Sequence, residues 1–194
     1  MADIQNSQNQ WLVEKYNKIP EMLKGFFDNI LDLVCFLESE GYIKESTMTK
    51  WKEGIKQALS YLESHDLMTA FSEIYIVAKG MQRILDRIIM NAYWNDQPIP
   101  DPLRKKFSEI AESSREFLSV LLDMIDYYAD TYRSPPIIQA SWSEKVNNAY
   151  FLLEHGDLEP AIGDILVVIG DLRPLLDELR NQIENGQYIY NSNS

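Results

Sequence analysis

Residues 51–74 read WKEGIKQALSYLESHDLMTAFSEI, and residues 142–165 read WSEKVNNAYFLLEHGDLEPAIGDI. Laid over each other at an offset of 91 residues, the two stretches share Trp51/Trp142, Glu53/Glu144, Ala58/Ala149, Leu62/Leu153, Glu63/Glu154, Asp66/Asp157, Leu67/Leu158, Ala70/Ala161 and Ile74/Ile165. The register extends without a gap over residues 12–89 against 103–180, adding Ile19/Ile110, Phe26/Phe117, Asp32/Asp123 and Asp86/Asp177. So many matches in one ungapped register point to a tandem duplication. A repeating unit of this length is too long for a single helix pair, so each repeat is expected to hold several elements.

The apolar spacing makes those elements helices. Tyr16, Ile19, Leu23, Phe26, Ile30, Leu33 and Leu37 step by three and four, as do Phe107, Ile110, Ser114, Phe117, Leu121, Met124 and Tyr128 in the second repeat. That is the period of one helical face. A second row (Phe27, Leu31, Val34; Leu118, Leu122, Ile125) widens the stripe, so these helices are packed on more than one side. A shorter helix carries Trp51, Ile55, Ala58 and Leu62, with its counterpart at Trp142, Val146, Ala149 and Leu153. A third carries Leu67 through Ile88, matched by Leu158 through Leu179. Alternation at period two, the mark of a strand, is not sustained anywhere. The expected fold is all-α: a six-helix bundle of two tandem three-helix repeats related by a pseudo-twofold axis. The repeats span residues 1–92 and 102–186, docked as one body, with a Pro-rich connector at 93–101 and a flexible tail at 187–194.

Local chemistry suggests the boundaries. Gly41 is expected to close the first helix, and Ser134-Pro135-Pro136 to end its counterpart. Asp101 before Pro102 reads as a cap and first helical position, and Ser141 to Glu144 as a capping box. Gly156-Asp157 ends one helix and caps the next, whereas His65-Asp66 keeps the cap without the glycine. Pro20 stands inside the first stripe, and since Leu12 and Tyr16 keep its phase, a kinked continuous helix is expected. Tyr93 and Trp94 in the connector are expected to pack along the bundle.

Composition narrows the function. Lys and Arg number 18 against 30 Asp and Glu, a formal net charge of -12, with about two thirds of the excess in the second half. Such a chain is a poor binder of phosphate surfaces, so neither direct nucleic-acid nor membrane binding is expected. The single cysteine allows no internal disulfide, and the N-terminus has no secretory pattern. These features read as a cytoplasmic protein.

No catalytic set emerges. His65 and His155 do not follow a Glu at the spacing of ferritin-like metal sites, and read as exposed corner residues. Glu109-x-x-Glu112 and Asp123-x-x-Asp126 resemble the carboxylate pairs with which all-α NTP pyrophosphatases hold Mg²⁺. Both pairs lie on one helix, however, and fourteen residues at ~1.5 Å each separate them by ~21 Å. The position three before Asp164, where that family would need Glu, is Ala161. Cys35 has no basic neighbour to lower its pKa, and no nucleophile elbow or phosphate loop is present. No catalytic, cofactor-binding or metal-binding residue is therefore assigned.

The turn from Ala58 to Ala70, like that from Ala149 to Ala161, resembles the corner of helical-bundle adaptors, flagellin export chaperones among them. The resemblance covers about 15 residues per repeat and implies only a helix, a tight turn and a capped helix. The aromatics say more. Phe36, Tyr42, Tyr75, Tyr127, Tyr128 and Tyr132 lie at helix ends or off the core stripe, and partly exposed aromatics are favoured at protein interfaces. The expected function is a non-enzymatic adaptor, chaperone or regulatory module that binds another protein, with room for homo-oligomerisation. Two alternatives are a divergent metal-dependent phosphohydrolase and an acidic inhibitor of a nucleic-acid-binding protein.

Overall fold

A computed structural model describes residues 2–185, and side chains from residue 10 onward. The expected tail at 187–194 lies outside the described residues. The described chain is all-helical: α1 (Ala2–Ser39), α2 (Glu45–Glu63), α3 (Leu67–Trp94), α4 (Asp101–Tyr132), α5 (Pro136–Glu154), α6 (Leu158–Asp171) and α7 (Arg173–Glu184). No helix among the described residues is long and apolar enough to cross a membrane.

The helices form a layered bundle. α1 and α4 run antiparallel, as three cross-links spaced along them require: Lys15 to Asp123 at 2.8 Å, Asn29 to the Glu109 carbonyl at 3.0 Å, and Asp32 to Lys106 at 3.6 Å. α3 and α6 form a second antiparallel pair, joined where Lys79 and Tyr75 reach Glu159. α2 bridges α1 to α3, and α5 bridges α4 to α6. Phe71 of α3 sits between Phe27 of α1 and Phe117 of α4, with ring centroids 6.0 and 5.4 Å away. All three rings are fully buried. Each contributes about 1.5–3 kcal/mol by leaving water, which makes this the cross-brace between the layers.

Several helix ends depart from the expectations. The stripe expected to run unbroken from Leu158 to Leu179 breaks at Leu172, giving seven helices instead of six. Pro174 stands in the first turn of α7 and cannot donate the backbone bond that would continue α6. α4 begins at Asp101 itself, so Pro100 occupies the N-cap and Asp101 is not the cap. α5 begins at Pro136, well before the expected capping box, and Ser141 lies inside the helix. The fixed φ of Pro136 is already helical and starts the helix early.

α1 runs unbroken through Pro20, as the phase of Leu12 and Tyr16 requires. Gly41 closes it in the left-handed conformation (φ +73°). The Tyr42 N–H reaches the Leu37 carbonyl and the Gly41 N–H the Glu38 carbonyl, the two bonds of a Schellman turn. Tyr93 and Trp94 do not pack along the bundle. They form the last turn of α3 and are 75% and 74% exposed, and Ile99 is the connector residue that meets the core.

Candidate interaction surfaces

The six aromatics singled out from the sequence do not form one patch. Because α1 and α4 are antiparallel, Phe36 and Tyr42 stand at the opposite end of that pair from Tyr127, Tyr128 and Tyr132. Tyr75 lies between, on the seam of α3 and α6.

Most of these rings are engaged within the chain. Phe36 and Tyr127 are half-buried against the core. Tyr128 stacks on Tyr132 with centroids 4.4 Å apart and meets Trp142 edge-on at 5.7 Å. The Tyr132 hydroxyl donates to Glu178 at 3.0 Å, tying α4 to α7. Burial, followed by that carboxylate, pushes the Tyr132 phenol up to about 12. Tyr75 donates to Glu159 at 3.3 Å across the seam. Tyr42 alone of the six stands at a turn with its ring exposed and no ring partner among the described residues.

The sequence reading missed other exposed apolar side chains. Met90, Tyr93 and Trp94 project from the end of α3, and Ile137 and Ile138 from the start of α5. Ile76 and Val167 face solvent beside the α3–α6 seam. That seam carries an open groove of about 570 Å³ lined by Tyr75, Glu159, Pro160, Gly163, Leu166 and Val167. A signal for Ile76 and Val167 was present, since they are apolar residues 91 apart that fall off the core stripe.

The acidic side chains disperse. Asp123 and Asp32 bridge to Lys15 and Lys106, Asp164 to Lys145 at 2.5 Å, and Asp177 to Arg173 at 3.7 Å. Glu112 pairs with Arg115 and Asp126 accepts from Gln139, so the two carboxylate pairs of α4 turn to separate partners. Among the described residues no three His, Cys, Asp or Glu side chains stand close enough to share a metal ion. Asp157 is held above its ordinary value, first by burial and then by the nearby Asp86. Cys35 is half-buried.

Comparison of the chain with protein-family models, curated proteins and solved structures finds no match.

Proposed function

We propose that this protein is a non-enzymatic helical module that binds another protein, and that its bundle is two tandem repeats of a three-helix unit related by a pseudo-twofold axis, the last unit helix of the second being broken at Leu172 into α6 and α7. Support for the duplication comes from contacts that recur at the 91-residue offset. Lys15–Asp123 and Lys106–Asp32 are one ion pair read from either repeat. The Trp51 ring lies where a Cβ on Gly80 would be 2.9 Å from it, and the Trp142 indole N–H donates to Asp171 at 2.8 Å, the residue in the same register as Gly80.

The binding reading rests on one observation: a Tyr–Trp pair, each ring about three-quarters exposed, at the end of a well-packed helix. Burial of a Trp and a Tyr commonly anchors a protein interface, because both offer large apolar area with a polar edge and few rotatable bonds. Met90 and the Tyr42 turn extend the same end of the molecule, since α2 returns antiparallel to α3 and brings its preceding turn alongside. The experiment compares cross-linked partners of the wild-type chain with those of Tyr93→Ala/Trp94→Ala in cells. A partner lost by the variant, at unchanged helicity, supports the proposal. Identical partner sets, or magnesium-dependent nucleotide hydrolysis by the purified chain, would overturn it.

A further inference from the structure

The outer face of the α3–α6 pair is a second surface, independent of the aromatic end. At its centre Ile76 and Val167 are 60% and 49% exposed. Gly163 beside them leaves a shallow floor in which the nearest side chain to an added Cβ would be Tyr75 at 3.3 Å. Both charges flank this centre, with Asp86 among the cations of α3 and Asp164 on the groove. Lys79, Arg83 and Arg87 recur every four residues along the C-terminal half of α3, on its outward side. Arg83 and Arg87 form no ion pair among the described residues, although cations are the minority charge in this chain. The N-terminal end of α6 is acidic, with Asp157 and Glu159, and Lys79 already faces Glu159 at 3.9 Å within the chain.

We propose that this face is the interface of a symmetric homodimer. A half-turn about an axis parallel to the helix pair lays α3 of one subunit antiparallel over α6 of the other. In the register of the intrachain pair, where Tyr75 meets Gly163 and Met68 meets Gly170, Ile76 then sits over the Gly163 floor. Lys79 then stands level with Glu159 of the opposing α6, and Arg83 just past the start of that helix, within reach of Asp157. The operation repeats every contact, as an isologous interface must. A second copy is the occupant this surface fits because its Asp157 and Glu159 come level with Lys79 and Arg83. Elsewhere the net charge of -12 sets copies against each other.

Sedimentation velocity on the full chain, from low to high micromolar concentration and at two salt levels, tests the proposal. The expected result is a monomer–dimer equilibrium that weakens as salt rises. Arg83→Glu, an exposed change that leaves the core untouched, should weaken the dimer at least tenfold. Ile76→Glu/Val167→Glu should give a monomer of unchanged helicity by circular dichroism. A chain that is monomeric throughout overturns the proposal, as does a dimer indifferent to Arg83→Glu. A dimer lost on Trp94→Ala but retained with Ile76→Glu would assign self-association to the aromatic end and also overturn it.

Discussion

The corner between α2 and α3 and the corner between α5 and α6 follow one backbone path with different residues. In the first, His65 takes the left-handed conformation (φ +55°), and in the second Gly156 does (φ +82°). The Asp66 N–H bonds to the Tyr61 carbonyl and the Asp157 N–H to the Leu152 carbonyl, both at 2.9 Å. What differs is the ring beneath. Phe107 lies so close to Gly156 that a Cβ there would stand 2.5 Å from its Cε2 and Cζ. Tyr16 instead donates its hydroxyl to the His65 carbonyl at 2.9 Å, with its ring 5.5 Å from the imidazole, and so leaves room for a side chain. Glycine is required at the second corner by the neighbouring ring as much as by the turn. At the first, a hydrogen bond from α1 holds the same turn without it.

The sharpest way to break this comparison is Gly156→Ala. The added Cβ meets the buried Phe107 ring and must also sit at positive φ, so the loss should be about 2–4 kcal/mol by urea denaturation. Adding Phe107→Leu should make the pair of changes cost less than their sum, because the clash has been removed. Strict additivity would mean that the ring does not dictate the glycine.

A smaller effect separates the two caps. Asp66 accepts the Thr69 N–H at 3.1 Å, whereas Asp157 makes no capping bond. The Glu159 N–H at the start of α6 is instead taken by Gln82 of α3 at 3.1 Å, and Gln82 is held in turn by donating to Asp86. Asp66→Ala should therefore cost about 1 kcal/mol, and Gln82→Leu a similar amount. Asp157→Asn should cost nothing at neutral pH. Its carboxyl is raised in the folded state, so the stability tied to its proton is present below its ordinary value of 3.8 and lost as pH rises above it. The amide cannot ionise, so any gain from the substitution should appear at neutral pH and vanish in acid. Denaturation midpoints at pH 7 and pH 3 would show whether it does.

The readability of the chain follows from which signals are local. The core stripes were legible because burial on one helical face imposes its period directly: Tyr16 through Leu37 and Leu67 through Ile88 supply the residues that are buried. The break at Leu172 was not, because Leu172, Leu175 and Leu179 keep helical spacing across it. Pro174 withholds one backbone donor without disturbing the apolar pattern. The early start of α5 was hidden for a related reason, since Ser141-x-x-Glu144 satisfies a capping pattern equally well from inside a helix. The candidate surfaces were the least legible. Whether Tyr93 and Trp94 are covered depends on where the antiparallel α6 begins and how the connector runs, a tertiary fact that leaves no mark on those two residues. The Trp142 ring that meets Tyr128 and the carboxylate partner of Tyr132 lie on α5 and α7, beyond the reach of local spacing.

A near-neutral change at the first corner is the most discriminating. His65→Gly removes the cost of a left-handed non-glycine residue, about 1 kcal/mol. It also loosens the unfolded chain by a comparable 0.5–1 kcal/mol. The Tyr16 hydroxyl bonds to the backbone carbonyl, which glycine retains, so only the ring contact with the imidazole disappears. The opposing contributions should leave stability within about 0.5 kcal/mol of the wild type. A gain well beyond that would mean that strain at His65 outweighs what Tyr16 contributes to holding the turn. A loss beyond it would make the imidazole a packing element of the corner. Near-neutrality at residue 65, beside a large loss at residue 156, would establish that two equal turns are secured by unequal neighbours.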